Sequence, residues 1–282
     1  MIITGKERHS FICSDTFTNK LLFINEDGVV TNEIENVIGA FDLWALPDGD
    51  VLYTRNSGAE TGGVVRADRS GRTVMRYYSQ KEIFSCQPLE NGNILLGLLG
   101  EPQLLEITPE GKTVASLDIP YQGVPHEGMR MARRIRNAYY VVQPGLNKIR
   151  KLTADGVTVK EFDIRPDAFG LILKPDGNVV YTCMSGAYEL NENGEEIWSL
   201  TAADVPEIGI RWLLGLQLLS NGNLVFTNWM GHGHFDEGVH IFEVDRQKNV
   251  VWSVDGRGDL GTPATVQILD DDPARVCFAP AK

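Results

Sequence analysis

Apolar and polar positions alternate along this chain in short stretches, and turn-forming pairs cut the stretches apart. A period of two marks half-buried β-strands, and no segment carries the 3.6-residue period of an amphipathic helix. "FDLWALPDGDVLYTRN" (41–56) returns as "FSCQPLENGNILLGLL" (84–99), "RMARRIRNAYYVVQPG" (130–145), "FGLILKPDGNVVYTCM" (169–184) and "LGLQLLSNGNLVFTNW" (214–229). An eroded copy, "ATVQILDDDPARVCFA" (264–279), ends the series. Each copy reads as strand, tight turn, strand, with Asp48-Gly49, Asn91-Gly92, Asp176-Gly177 and Asn221-Gly222 as two-residue hairpin turns. A second hairpin follows in each unit, on pairs such as Glu110-Gly111, Asp155-Gly156 and Asn193-Gly194.

Four antiparallel strands recurring about every 40–50 residues describe the blades of a β-propeller. The N-terminal unit, "HSFICSD" through "NKLLFINEDGVVTNEIE", offers only the second, third and fourth strands, and the late "ATVQIL" supplies the missing first. Sharing one blade between the two ends removes the open sheet edge of an unfinished ring. The expectation is an all-β fold: one domain over residues 1–282, six four-stranded blades, closed by pairing N- and C-terminal strands. The tail "ARVCFAP" competes for the same slot, which makes seven blades the alternative.

Composition narrows the partners. The formal charge of −12 opposes nucleic acid and anionic membrane surfaces, which recruit basic proteins. No apolar run is long enough to cross a bilayer, and the start lacks the layout of a secretory signal. As given, the chain reads as cytoplasmic; removal of a leader would make it secreted or periplasmic. Cys13, Cys86, Cys183 and Cys277 have no metal-like spacing and sit in apolar runs, and only Cys13 and Cys277 could pair, if the termini meet.

Repeat alignment sorts the connections onto two rims. The tight turns share one rim, the turn rim. The links between second and third strands, and those between blades, share the other, the loop rim, and they are longer and less regular. Loops of that kind carry binding sites disproportionately. Arg55, His126, Glu127, Trp229, His232 and His234 all fall on the loop rim, His126 just before an innermost strand and so over the channel entrance.

The innermost strands add a second set. One column reads Trp44, Gln87, Arg133, Ile172, Gln217 and Gln267. Two residues earlier the column reads Asp42, Ser85, Met131, Gly170, Gly215 and Thr265. Gln87, Gln217 and Gln267 need partners if buried, either a ligand in a wet channel or the backbone of a neighbouring blade. Arg133 occurs in one blade only, and its fork of donors suits an anion at the channel mouth.

"NWMGHGHFDEG" (228–238) sets His232 and His234 two residues apart. In an extended segment these would point the same way, and a metal site would need further ligands such as His126, Glu127 or Asp236. Without that set, no metal is assigned, and ligand contact, acid–base work and a polar structural loop stay open. His9 and His240 read as surface or strand residues. Trp198 and Trp252, in "EIWSL" and "VVWSV", read as structural.

The units "LPDGDVLYT…ADRSGRTV", "LSNGNLVFTNW…VDRQKNVVW" and "KPDGNVVYT…NENGEEIW" resemble the blades of PQQ-like and arylsulfotransferase-like bacterial β-propellers over nearly the whole chain. The quinoprotein side of that resemblance implies a docking tryptophan in most blades; only Trp198 and Trp252 keep it, so no quinone or other cofactor is assigned. The arylsulfotransferase side implies histidines and an arginine around the channel, for which His126, His232, His234 and Arg133 are the available residues. The leading reading is a propeller that binds a small polar or carbohydrate-like molecule at the channel mouth. The others are a transferase, hydrolase or lyase using the mouth His and Arg, and a protein-interaction platform.

Overall fold

The structure is a computed structural model and describes residues 1–56, 62–100, 102–235 and 237–272. Its strands form six antiparallel sheets arranged as the six blades of a propeller. From blade 1 to blade 6 the innermost strands are Pro263–Ile268, Leu43–Ala45, Ile83–Pro88, Ala132–Ile135, Leu171–Leu173 and Leu213–Leu218. Blade 1 takes its innermost strand from the C-terminal part of the chain, which pairs antiparallel with Phe11–Asp15. The tail "ARVCFAP" and Cys277 lie outside the described residues. No described helix is long and apolar enough to cross a membrane.

Two features depart from the sequence expectation. Residues Ile2–Gly5 add a fifth strand to the outer edge of blade 6, pairing with Val250–Asp255. The chain's first residues therefore belong to the last blade, and the residues after them to the first. The glycine turns are also not two-residue hairpins. Leu46 and Asp50 close a three-residue loop, with Leu46 N–H donating to Asp50 O at 2.8 Å and Gly49 N–H to Leu46 O at 2.9 Å. That geometry needs left-handed backbone at one position only, which Gly49 supplies at φ 91°, and Asp48 Oδ1 accepts from Asp50 N–H. In blade 4, which lacks the glycine, a two-residue turn puts Arg136 at φ 52°.

The seams between blades are fastened mainly by side chains reaching into the next blade's backbone. Gln87 accepts from Arg134 N–H at 2.7 Å and donates to Arg134 O at 3.1 Å, so its amide acts as an extra peptide between blades 3 and 4. Gln267 does the same to Ala45, and Gln217 accepts from Ile268 N–H. Trp44 uses its indole N–H on Cys86 O. Of the two readings open for the glutamines, the geometry is that of blade-to-blade ties. Thr182 and Thr227, in second strands, donate to Leu214 O and Ala264 O of the following blades. At both of these seams the backbones come close: a Cβ on Gly170 would collide with Leu214 O, and one on Gly215 would stand 2.7 Å from Thr265 Cα.

Outer strands are docked by aromatics and buried acids. Trp198 donates to Arg246 O of blade 6, and the Arg246 guanidinium lies over its ring. Glu189, fully buried, holds Lys174, Asn178 and the same Arg246. Trp252 is fully buried and meets Phe11 and His9 edge-on. His9 is not a surface residue. It is buried in the closing seam, 2.8 Å from Glu243 and 2.9 Å from Asp270. His240 is fully buried too, bonded to Phe235 O and Gly256 N–H. Cys13, Cys86 and Cys183 are free and buried, and burial pushes all three thiols up.

Two outcomes follow. Gly170→Ala forces blades 5 and 6 apart and should cost about 1–3 kcal/mol in urea unfolding, as overpacking does; no loss would mean that the seam yields. Burial by itself lowers the His9 pKa, but the bonds to Glu243 and Asp270 outweigh it and the net shift is upward from 6.5. The stabilisation from protonated His9 is therefore complete below about 6.5 and fades as pH rises through the higher folded value. The gap in melting temperature between wild type and His9→Gln should narrow from pH 6 to pH 9; a constant gap would refute the clamp.

Candidate functional site

The residue that opens each innermost repeat builds the centre of the loop rim. Around the ring these are Phe41, Phe84, Arg130, Phe169, Leu214 and Ala264, three positions ahead of the glutamine column. Phe41 stacks on Phe84 at 4.6 Å, and both meet Phe169, at 5.9 and 6.1 Å. Together with Met131, Leu214 and Ala264 they form one apolar cluster that covers the axis on this rim.

Arg130 is the charged member of that ring. Its guanidinium sits 5.0 Å from the Phe84 centroid and 5.7 Å from that of Phe169. Both contacts suit a cation over aromatic faces. It donates to His126 Nε2 at 3.2 Å, and His126 meets Phe84 edge-on at 5.8 Å. Among the described residues no carboxylate pairs with Arg130; Glu82, Glu127 and Asp167 act on it only through space. Burial lowers its pKa, and an arginine stays charged regardless. Partial desolvation and the Arg130 charge lower the His126 pKa as well, so the imidazole is neutral at pH 7. The two form a cationic donor group at the mouth, the guanidinium half-buried and the imidazole exposed.

Arg133, the arginine singled out from the sequence, is elsewhere. It lies below the aromatic layer and reaches across blade 3 to Asp42 of blade 2, with two bonds of 2.7 and 2.9 Å. Asp42 also accepts from Cys86 N–H and Leu43 N–H, and Trp44 stands 5.1 Å from the guanidinium. Burial pushes the Asp42 carboxyl up from its ordinary range, against the pull of Arg133 and the two backbone donors. The pair balances its own charge inside the ring, so Arg133 does not present a free cation at the mouth.

The histidine loop is anchored at the other side of the rim. Asn228 accepts from Arg211 and Trp212 N–H and donates to Gly209 O and Val239 O. Met230 is buried, and Phe235 packs on Phe17 of blade 1 at 4.0 Å. Trp229 meets Trp212 at 5.6 Å and His232 at 5.4 Å, and both tryptophans pack against the same apolar cluster as the phenylalanines. His234 points instead to Glu237, which also pairs with Arg211. Among the described residues no hydrogen bond or ring contact joins His126 to His232 or His234. No three of their histidines, cysteines or acids converge as a ligand set either. Asp236 lies outside the described residues. Glu127 is exposed in a short 3₁₀ turn, Pro125–Glu127, and Arg55 is spent on Asn36 O near the periphery.

The sequence matches no family model and no curated protein. Solved structures do resemble the fold. A protein of unknown function from Bacteroides caccae superposes with a TM-score of 0.82 at 20% identity, over 92% of this chain and 98% of its own. Virginiamycin B lyase from Staphylococcus aureus gives 0.61 at 18% identity, over 89% and 83%. The WD40 propeller domain of Doa1 gives 0.54 at 14% identity, over 76% and 73%. These likenesses establish the fold. Identities this low carry no activity across.

Of the residues proposed from sequence, His126 meets the mouth centre directly, Trp229 packs against its apolar cluster, His232 reaches it only through Trp229, and Arg55 and His234 are held away. Arg130 went unread because strand alternation drew attention to positions within the strands, while Arg130 stands just before one. The signal was available: it is the one charge among the residues that open the repeats. Asp42→Ala leaves Arg133 half-buried without its counter-ion. Breaking such a pair costs about 3–5 kcal/mol, so the variant should unfold at much lower urea than wild type. The double variant Asp42→Leu with Arg133→Met should recover most of that loss; no recovery would place the cost outside the pair.

Proposed function

We propose that this protein is a ligand-binding propeller that holds a small molecule bearing an oxyanion at the centre of its loop rim. The observation that carries this reading is the Arg130 guanidinium, lodged over Phe84 and Phe169 with no carboxylate partner among the described residues. A cation kept partly out of water with no carboxylate bonded to it leaves its donors unanswered, and an anionic group supplied from solution can answer them directly. The surrounding aromatics favour a planar or ring-shaped body. Trp229 beside His232 offers a ring on which a sugar-like portion can stack.

Binding is favoured over catalysis by the state of His126. Its Nε2 already accepts from Arg130, and among the described residues no carboxylate is bonded to Nδ1 to orient the ring as a base. The resemblance to arylsulfotransferase-like propellers adds a chemical class to test, because a sulfate ester presents the oxyanion that Arg130 suits.

In calorimetric titrations, an aryl sulfate or aryl carboxylate should bind while its neutral amide or alcohol counterpart does not. Arg130→Ala should weaken the anion by roughly 10- to 100-fold, the equivalent of one charged hydrogen bond of about 1.5–3 kcal/mol. Arg55→Ala should leave the affinity unchanged. An anion bound equally well by Arg130→Ala would sink this assignment.

A further inference from the structure

Below the aromatic layer the axis opens into a cavity of about 110 Å³. Its upper wall includes Phe41, Met131 and Leu214, which belong to the cluster that covers the loop rim. Its lower wall reaches Pro175, an exposed residue in the turn between the first two strands of blade 5. Along the same strands, Ile172, Leu216 and Leu218 are half-buried while Leu214 is buried. The cavity therefore communicates with the turn rim, on the opposite side from Arg130.

Its chemistry differs from that of the mouth. Blades 5 and 6 contribute an apolar wall, and Trp44 from blade 2 and Arg133 and Arg134 from blade 4 face it. The charge of Arg133 is balanced by Asp42, and its terminal nitrogens are spent on Asp42 and Ala132 O. Among the described residues its Nε–H has no acceptor. Gln217 is 4% exposed and lines the cavity, and its amide nitrogen is buried without a partner. Gln87, at the matching position, completes both amide bonds to the next blade. Arg134 also lines the cavity and is paired with Glu106, so donors are left over beside an apolar wall while both arginine charges are answered. An apolar cavity of about 150 Å³ accepts benzene, so the enclosed part takes most of a single ring and the opening toward the turn rim takes the remainder of the ligand.

We propose that the axial cavity is a second binding site, entered from the turn rim, for a compact neutral molecule with an apolar ring or branch and one carbonyl-type acceptor. A carboxylate in the same place would confront Asp42, and a bare hydrocarbon would leave the Gln217 amide unanswered. This site is independent of the rim reading, since its walls share no residue with the Arg130–His126 group.

Fluorine NMR on the whole protein tests it, with 4-fluorobenzamide, 4-fluorobenzoate and fluorobenzene as probes. Saturable broadening is expected for the amide, with the benzoate and the hydrocarbon at least tenfold weaker. Ile172→Trp, which fills the cavity, should abolish binding of the amide. Leu218→Phe does the same from blade 6 should the first variant fail to fold by circular dichroism. Arg130→Ala should leave the amide titration unchanged. No saturable binding of the amide would overturn the proposal. Binding that survives both filling variants, or that Arg130→Ala alone removes, would overturn it equally. Equal affinity for the benzoate would overturn the neutral-ligand assignment.

Discussion

Every other feature of this protein rests on how one blade's innermost strand is fastened to the next. Six sheets crowd around one axis. Polar groups trapped there lose water and must find partners within the ring. The chain meets that demand with amide bridges from Gln87 and Gln267, hydroxyl ties from Thr182 and Thr227, and the Asp42–Arg133 pair. Where no side chain fits, glycine lets the backbones touch, as at Gly170 and Gly215. Closure follows the same logic on a larger scale. The C-terminal strand completes blade 1 from inside and so closes the ring, while the N-terminal strand adds a fifth strand to the outer edge of blade 6.

That fastening also divides the axis. The residues opening the repeats are mostly large and apolar, and they meet above the ties as an aromatic layer. Above the layer, Arg130 is a cation without a close counter-charge. Below it, Arg133 is a cation whose charge is fully answered. Two arginines three residues apart in one segment thus face two environments with opposite electrostatic demands. The difference comes from Asp42, placed by another blade, and not from anything local to either arginine.

Blade count and strand order were legible because repetition multiplies a weak signal: a strand–turn–strand pattern seen once is ambiguous, and seen six times it is an architecture. The loop rim was legible for the same reason, since alignment alone assigns each link to a side. The turn geometry was misread because Asp-Gly serves both two- and three-residue loops, and only the pairing of Leu46 with Asp50 separates them. The strand Ile2–Gly5 was missed because four residues show no repeat and almost no alternation. His9 was misplaced because its carboxylate partners, Glu243 and Asp270, stand more than two hundred residues away.

What the sequence by itself determined is the local and the periodic: strands from alternation, turns from their Asx and Gly residues, six blades from recurrence, and the side of the ring on which each loop lies. What only the tertiary structure decided is which charges are answered. Whether an arginine is a receptor or a strut depends on a partner contributed by a different blade. The repeat pattern places that blade around the axis, but does not say which side chains meet across it. Pairing energy falls off within a few ångströms, and distances of that size exist only once the ring has closed.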